Sequence, residues 1–172
     1  MVEFVVKGFV GTVWFFMFLW CGVTASAQVP DGTVVYGSKP SAVVGRVAQR
    51  WATRAQGYQA EYTHVGIVLG GRVYHADYPS VASYPVGQEK PGVISTYEMP
   101  TRPYTQQQID AMKRYAQSQI GQSYRLRGFI RNDGGEGWCS QFVRRVKEQG
   151  GHELSYRDGF TPDNLRRALR HD

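Results

Sequence analysis

Three residues of the chain have types and positions that suit a cysteine-based hydrolytic site: Cys139, His64 and His75. In such a site a thiolate attacks a carbonyl carbon, a neighbouring imidazole serves first as base and then as acid, and a further polar group orients that imidazole. Cys139 stands where a glycine-rich loop passes into a helical pattern. A thiol at a helix N-terminus feels the partial positive charge of unpaired backbone amides, which lowers its pKa, and those amides can also hold an oxyanion.

The two histidines flank a predicted β-hairpin. His64 begins one β-rich run and His75 ends the next, with the Gly70-Gly71 turn near the middle of this eleven-residue spacing. Adjacent antiparallel strands of this length place both side chains near the same end of the hairpin. The spacing therefore predicts two imidazoles within hydrogen-bonding reach of one another.

Each of these residues also has an ordinary structural interpretation. A single cysteine is commonly a small buried hydrophobe, and a histidine in a strand is commonly a structural side chain. One cysteine and two histidines could instead hold zinc, but the chain has neither a Cys-x-x-Cys nor a His-x-x-His pair. We therefore expect no metal and no cofactor, and we assign no role to His152 or His171.

The first 27 residues have the composition of a secretory signal peptide. An apolar block over residues 8–23 is followed by Ala25-Ser26-Ala27, which predicts cleavage after Ala27 and export to the periplasm or the extracellular space. An uncleaved membrane anchor is the alternative, although the block is shorter than the ~20 residues of a spanning helix. Removal of the leader also removes Cys21, so that Cys139 becomes the one remaining cysteine and cannot form an internal disulfide.

Composition and charge narrow the class of protein. The chain carries 20 Lys plus Arg against 14 Asp plus Glu, a formal net charge of +6, and collagenous, coiled-coil and disordered classes are excluded. In an exported protein this basic surplus indicates attraction to anionic cell-wall polymers or lipid headgroups rather than to nucleic acid. Solvated helix faces are the alternative interpretation. Much of the surplus lies in two helical segments, at Arg144, Arg145, Lys147, Arg166, Arg167 and Arg170.

Residues 28–172 contain no repeat or linker and are predicted to form one domain and a monomer. Periodicity and turn signals predict strands at 33–36, 64–69, 72–76 and 93–99, with a loop over 77–91. Helices are expected over 41–51, 105–120, 139–149 and 162–170, the second with a Thr105–Gln108 capping box. These elements predict an α+β fold, in which a small antiparallel sheet or partial barrel packs against helices and the Cys139 helix docks on the sheet.

Several segments carry a resemblance to a known family. They are Pro-Asp-Gly-Thr-Val-Val-Tyr at 30–36, Tyr-Thr-His-Val-Gly-Ile-Val at 62–68, Val-Tyr-His-Ala at 73–76, Gly-Gln-Ser-Tyr at 121–124 and Trp-Cys-Ser-Gln-Phe-Val at 138–143. With histidine preceding cysteine, the chain resembles the permuted YiiX/YebB-like branch of the NlpC-type papain-like cysteine hydrolases. The resemblance implies a circularly permuted papain-like fold with Cys139 as nucleophile, His64 as base and His75 as orienting group.

The third of these positions departs from a common pattern of the family. Many bacterial members resemble one another in carrying Glu where this chain has His75, whereas the lecithin-retinol acyltransferase-like relatives carry a second histidine at similar spacing. A neutral imidazole orients its partner but stabilises an imidazolium less than a carboxylate does. His75 therefore leaves two chemistries open, amide hydrolysis and acyl transfer from lipid esters.

The leading interpretation is a secreted cysteine hydrolase that cleaves an amide bond in cell-wall peptides through an acyl-thioester intermediate. An acyltransferase or thioesterase acting on lipid acyl groups is the alternative, and a wall-binding domain without turnover is a third hypothesis. Four residues near the motifs are candidates for substrate contacts: Tyr62, Tyr124, Trp138 and Ser140.

Overall fold

The computed structural model describes residues 28–38, 61–88, 94–123 and 139–170. The predicted signal peptide, the predicted helix over 41–51 and the candidates Tyr124 and Trp138 lie outside these ranges. The described residues form five strands: β1 (Val34–Ser38), β2 (His64–Leu69), β3 (Arg72–Ala76), β4 (Val81–Pro85) and β5 (Ile94–Glu98). They also form three α-helices, α1 (Gln106–Ser118), α2 (Cys139–Gln149) and α3 (Pro162–Arg170), and a short 3-10 turn, Tyr156–Gly159. No helix among them is both long and apolar enough to cross a membrane.

The five strands form one antiparallel sheet in the order β4-β3-β2-β1-β5. A turn at Gly70 and Gly71, with φ angles of 59° and 70°, joins β2 to β3. Positive φ at both central residues is typical of the type I′ turn, whose twist matches that of the flanking strands, and glycine adopts it without steric cost. The predicted hairpin is therefore observed, with Ile67 opposite Tyr74.

The prediction of a loop over 77–91 is wrong in part, because this segment contains β4. Strand β4 pairs with β3 along its whole length, with Val81 opposite Ala76 and Pro85 opposite Arg72. It is an edge strand of the sheet, where proline is tolerated. Its first residue, Val81, also donates a backbone hydrogen bond to the Gln122 carbonyl and accepts one from Gly121 N. The polar and proline-containing composition of β4 is typical of a loop. The strand forms because it pairs with β3, and that pairing is not visible in its own sequence.

The three helices pack on one face of the sheet, where they form the main core. That core joins buried sheet residues to buried helix residues, chiefly Tyr36, Val65, Ile67, Leu69 and Tyr74 to Met112, Ala116, Val143, Val146 and Leu165. The opposite face carries a smaller cluster of Val35, Val68 and Val73. The predicted α+β fold is confirmed at this level, as a five-stranded antiparallel sheet with three helices.

Helix α1 begins with the capping box that the sequence predicts. Thr105 Oγ1 accepts a hydrogen bond from Gln108 N at 3.3 Å, and Gln108 Oε1 accepts one from Thr105 N at 2.9 Å. The Gln108 side-chain amide also donates to the Gly150 carbonyl at 2.7 Å. The cap therefore joins the start of α1 to the residue that follows α2.

Thr105→Ala removes the hydroxyl that accepts the Gln108 amide and is expected to lower the free energy of unfolding by about 1 kcal/mol. Gln107→Ala, at an exposed position in the same turn, is the matched control and is expected to change this free energy by less than about 0.5 kcal/mol. Urea unfolding followed by circular dichroism measures both values. Equal losses in the two variants would contradict the assigned cap.

Candidate functional site

The β2–β3 hairpin brings His64 and His75 together. Continuing the register of the hairpin sets Gly66 opposite His75, so His64 lies diagonally across from His75 on the same face of the sheet. The imidazole nitrogens His64 Nε2 and His75 Nδ1 are 2.9 Å apart, and one of them donates a hydrogen bond to the other. The rings meet edge to face, with centroids 5.1 Å apart and an interplanar angle of 86°. The spacing predicts this contact, and the structure contains it.

Gly66 is the residue that leaves room for this diagonal contact. A Cβ atom at position 66 would lie 2.9 Å from Val73 Cγ1, 3.0 Å from the Tyr74 carbonyl oxygen and 3.3 Å from His75 Cβ. Only the absence of a side chain lets the two strands pass at this distance with both imidazoles on one face. The motifs of the sequence assign Gly66 no role of its own, although a glycine inside a β-branched strand is a known sign of close backbone approach.

His75 is held in place by its surroundings. Its side chain is 7% exposed, and the ring of Tyr84 in β4 lies against it with centroids 5.2 Å apart. A buried imidazole that is bonded through Nδ1 and packed against a second ring has little freedom to rotate. A role for Tyr84 was not predictable from the sequence, because β4 was not predicted and no local signal distinguishes this tyrosine from its loop-like neighbours.

Cys139 is the first residue of α2, as the sequence predicts. Its side chain is 6% exposed, belongs to the main core and is not part of a disulfide. Helix α2 packs across β2 and β3, the two strands that carry the histidines. The thiol therefore lies at the N-terminal end of a helix, beside the backbone amides of its first turn.

Helix α2 runs in the same direction as β2, which sets Cys139 at the end of the sheet where the histidines lie. Near the other end of the helix, Lys147 Nζ donates to the Gly32 carbonyl at 2.8 Å, and Gly32 N donates to the Val68 carbonyl at 2.8 Å. In the first turn of the helix, Phe142 shares a small cavity with Ala76, the residue that follows His75. The start of α2 and the start of β2 are thus at the same end of the molecule.

The histidines nevertheless occupy the sheet face that the helices do not cover. Val65 and Ile67 belong to the core beneath the helices, so alternation along β2 directs His64 to the other face, together with Val68. His64 is the first residue of its strand, and Cys139 is the first residue of its helix. A thiol and an imidazole from these positions can therefore approach each other only around the end of β2.

The chain that leads into β2 is anchored by α3. Asp163 Oδ1 accepts a hydrogen bond from Glu61 N at 3.2 Å, and Oδ2 accepts one from Tyr62 N at 3.4 Å. Arg166, one turn further along α3, pairs with Glu61 Oε2 at 2.6 Å, and its guanidinium carbon lies 4.8 Å from the centroid of the Tyr62 ring. These contacts fix the backbone two residues before His64. Burial raises the pKa of the Asp163 carboxyl above its ordinary value, against the lowering effect of the two amide donors.

Two of the four predicted substrate contacts lie within the described residues. Tyr62 is 7% exposed, packs on the Tyr36 ring with centroids 5.2 Å apart, and donates from its hydroxyl to Glu61 Oε1 at 2.7 Å. Ser140 is fully buried in the first turn of α2, and its Oγ makes no hydrogen bond with the described part of the chain. Both side chains therefore lie in packed surroundings.

Most of the basic residues considered for anion binding make contacts within the protein. Arg144 and Lys147 are 4% and 2% exposed, and Arg166 and Arg170 both pair with the Glu98 carboxylate, at 2.5 Å and 2.8 Å. Their aliphatic stems cover apolar surface while their charged groups reach acceptors on neighbouring elements. The two basic segments therefore do not form one open basic face.

Among the described residues, no group of three or more His, Cys, Asp and Glu side chains is arranged to hold an ion. In the described arrangement, one nitrogen of each imidazole is bonded to the other ring.

Gly66→Ala is expected to break the contact between the two histidines, because the new methyl group must displace the Val73 side chain or the Tyr74 backbone. We expect a loss of about 1–3 kcal/mol in the free energy of unfolding and a change in the imidazole nitrogen chemical shifts of both histidines. Gly87→Ala is the control: its φ of 83° costs about 1 kcal/mol with a side chain, but the Cβ position has no atom of the described residues within 4 Å. Unchanged imidazole shifts in Gly66→Ala would contradict the proposed role of Gly66.

Asp163→Asn places a side-chain NH₂ against a backbone N–H and is expected to lower the free energy of unfolding by about 1–3 kcal/mol near neutral pH. Because burial raises the pKa of Asp163, the folded protein binds this proton more tightly than the unfolded chain does. The contribution of Asp163 to stability therefore falls as the pH rises from the unfolded pKa through the folded pKa.

Urea unfolding of both proteins at several values between about pH 4 and pH 7 tests this linkage. Every other titrating group is common to the two proteins, so the difference between their curves isolates Asp163. The advantage of the parent over Asp163→Asn should shrink with rising pH in this window. Parallel curves, or an advantage that grows with pH, would contradict a raised pKa.

Comparison with known proteins classifies the chain by its fold. No family model matches it, and no curated protein matches it. A solved structure with a similar fold is that of the metalloprotein YiiX from Escherichia coli O157:H7, with a TM-score of 0.54, 15% sequence identity, and coverage of 72% of this chain and 67% of YiiX. At this identity the likeness shows the fold alone. The resemblance predicted from the sequence is thus confirmed at the level of an α+β fold shared with YiiX.

Proposed function

We propose that the chain is a cysteine hydrolase with a circularly permuted papain-like fold, in which Cys139 is the nucleophile, His64 the base and His75 the orienting residue. The observation that carries the proposal is the 2.9 Å hydrogen bond between His64 Nε2 and His75 Nδ1, at the end of the sheet where α2 begins. The order of the elements, with the histidine strands before the cysteine helix, fits a permuted chain. The fold shared with YiiX supports the α+β part of the proposal.

The hydrogen bond between the histidines gives the two nitrogens of His64 different tasks. Nε2 is engaged by His75, so Nδ1 is the nitrogen that takes the proton from the Cys139 thiol. The thiolate attacks the carbonyl carbon of the scissile amide and forms a carbon–sulfur bond, while backbone amides in the first turn of α2 donate hydrogen bonds to the oxyanion. Collapse of this intermediate breaks the carbon–nitrogen bond, and His64 gives its proton to the leaving amine.

Water completes the reaction by hydrolysing the acyl-thioester. It attacks the carbonyl carbon while His64 Nδ1 accepts its proton, and a second tetrahedral intermediate forms. When this intermediate collapses, the carbon–sulfur bond breaks and the proton passes from His64 to the Cys139 sulfur. The products are a carboxylic acid and the original thiol, so each turnover consumes one amide and one water.

His75 orients the imidazole of His64 without supplying a full negative charge. Its burial and its contact with Tyr84 hold the ring in one position. A neutral imidazole stabilises the imidazolium of His64 less than a carboxylate does. We therefore infer that the Cys139 thiolate forms at higher pH here than it does where a carboxylate occupies the third position.

The substrate class follows from the predicted signal peptide, which favours a target outside the inner membrane. Amide bonds in cell-wall peptides are the class that we propose. One observation favours the second candidate, an acyltransferase or thioesterase on lipid acyl groups: the orienting position holds histidine, as in the lecithin-retinol acyltransferase-like relatives. A wall-binding domain without turnover is the remaining alternative.

Digestion of isolated cell wall tests the leading proposal. Cys139→Ala and His64→Ala should each release peptide at least about 100-fold more slowly than the parent protein, because each removes a group that takes part in bond cleavage. Gln107→Ala, exposed on α1, should digest as fast as the parent. Digestion by the Cys139→Ala protein at the parental rate would overturn the proposal.

Covalent labelling separates the alternatives. An acyl group on Cys139 after incubation with phospholipid, detected by mass spectrometry, would favour the lipid substrate. Binding to wall sacculi that persists in Cys139→Ala, without alkylation of the parental Cys139 by iodoacetamide near neutral pH, would favour the domain without turnover. Since YiiX is described as a metalloprotein, activity that a chelator abolishes and zinc restores would contradict the thiol mechanism.

The orienting role of His75 has its own test in the pH dependence of Cys139 alkylation. His75→Ala leaves the His64 ring without this partner, and we expect alkylation by iodoacetamide at neutral pH to slow by about tenfold, with its midpoint moved to higher pH. His75→Glu supplies a carboxylate and should move the midpoint to lower pH than in the parent. Identical pH profiles for the three proteins would contradict an orienting role.

A further inference from the structure

A separate cavity of about 340 Å³ lies between β1, the segment that follows β5, and the last turns of α2 and α3. This volume falls within the range of pockets that bind small organic molecules. Its polar lining includes Tyr36, Arg102, Tyr104, Lys147, His152 and Arg170. None of these residues has a task in the proposed hydrolase chemistry.

The cavity is remote from the candidate active site. Lys147, which lines it, is eight residues along α2 from Cys139, which corresponds to about 12 Å along the helix axis. On the sheet, Val34 and Tyr36 line the cavity from the face that the helices cover, whereas His64 lies on the other face. The two sites are thus near opposite ends of α2.

Tyr36 contributes a hydroxyl that is left unsatisfied within the described protein. Its side chain is fully buried and lines the cavity, and its hydroxyl has no hydrogen-bond partner among the described residues. A buried polar group without a partner costs about 1–3 kcal/mol, so a ligand that accepts its hydrogen bond recovers part of this cost. Burial raises the pKa of Tyr36 well above its ordinary value, so the hydroxyl stays protonated.

Cationic groups predominate among the charged side chains that line the cavity. Lys147 Nζ donates to the Gly32 carbonyl at 2.8 Å and to Tyr104 Oη at 2.7 Å, which holds its positive charge at the cavity wall. Arg102 is exposed and makes no ion pair or hydrogen bond with the described part of the chain, so its guanidinium remains available for a ligand. Arg170 adds a third positive charge and is paired with Glu98.

The negative charge at the cavity is smaller than the positive charge of Lys147, Arg102 and Arg170. Glu98 contributes one carboxylate, which is shared between Arg166 and Arg170. The C-terminal ends of α2 and α3 each contribute about half a negative charge through their last carbonyl groups. Together these contributions are outweighed by Lys147, Arg102 and Arg170, so the electrostatic preference of the cavity is for a monoanion.

We propose that this cavity binds a small organic carboxylate, with its apolar part against Val34, Met99 and Leu169 and its carboxylate towards Tyr36, Lys147 and Arg102. The apolar residues form the remainder of the lining, and burial of an apolar body supplies affinity that a bare inorganic anion lacks. The guanidinium of Arg102 and the Tyr36 hydroxyl are donors suited to a carboxylate. The site does not depend on hydrolysis at Cys139.

Octanoate and octan-1-ol form a matched pair of probes, since they differ in the charged group. Octanoate should bind the full chain with a Kd of about 1 mM or tighter by isothermal titration calorimetry, and octan-1-ol should bind at least about tenfold more weakly. Amide chemical shifts should change at Val34, Thr101 and Leu169 and stay constant at His64 and Cys139. Shifts confined to the His64 end would assign the ligand to the candidate active site and overturn the proposal.

Two substitutions test the donors, and a third is their control. Tyr36→Phe removes the unsatisfied hydroxyl without emptying the core, and Arg102→Gln removes an exposed guanidinium. Each should weaken octanoate binding by about fivefold to tenfold. Arg114→Gln makes the same charge change at an exposed position on α1 and should leave the Kd unchanged. Equal affinity in all four proteins, tighter binding of inorganic phosphate than of octanoate, or no binding of octanoate would each overturn the proposal.

Discussion

The two-residue turn at Gly70 and Gly71 sets the register on which the candidate site depends. With both glycines at positive φ, Ile67 lies opposite Tyr74, and the continuation of that register leaves His75 opposite Gly66. A slip of one residue would carry one strand's side chains to the other face of the sheet and separate the imidazoles. The hydrogen bond between the histidines is therefore a consequence of turn length, strand alternation and the missing side chain at Gly66.

The two ends of helix α2 lie at the two proposed sites. Its first residue is Cys139, and its last turn contributes Lys147 to the cavity proposed to bind a carboxylate. The bond from Lys147 to the Gly32 carbonyl fixes the far end of this helix against the chain that enters β1. The same helix thus presents its N-terminal amides, with their partial positive charge, at one site and a buried ammonium at the other.

Local features of the fold were predictable to within a residue or two. The Thr105 capping box, the Gly-Gly hairpin and the start of α2 at Cys139 all depend on hydrogen bonds or periodicity within a few neighbouring residues. Strand β4 was not predictable, since its pairing with β3 outweighs a composition that is typical of loops. Tyr84 was missed with it. The inward position of Lys147 was also not predictable from the sequence, because the acceptors of its ammonium group belong to distant segments.

The sequence by itself determined the types and spacing of Cys139, His64 and His75 and the local elements that carry them, because turns, caps and alternation act over short stretches of chain. Only the tertiary structure decided that α2 runs parallel to β2 while the histidines face away from the helices. It also decided that α3 anchors the entry to β2, through a contact between Asp163 and Glu61 that spans 102 residues. The physical reason is that packing depends on the complementarity of shape and charge between segments that are distant in the sequence, and local sequence patterns do not indicate which segments will meet.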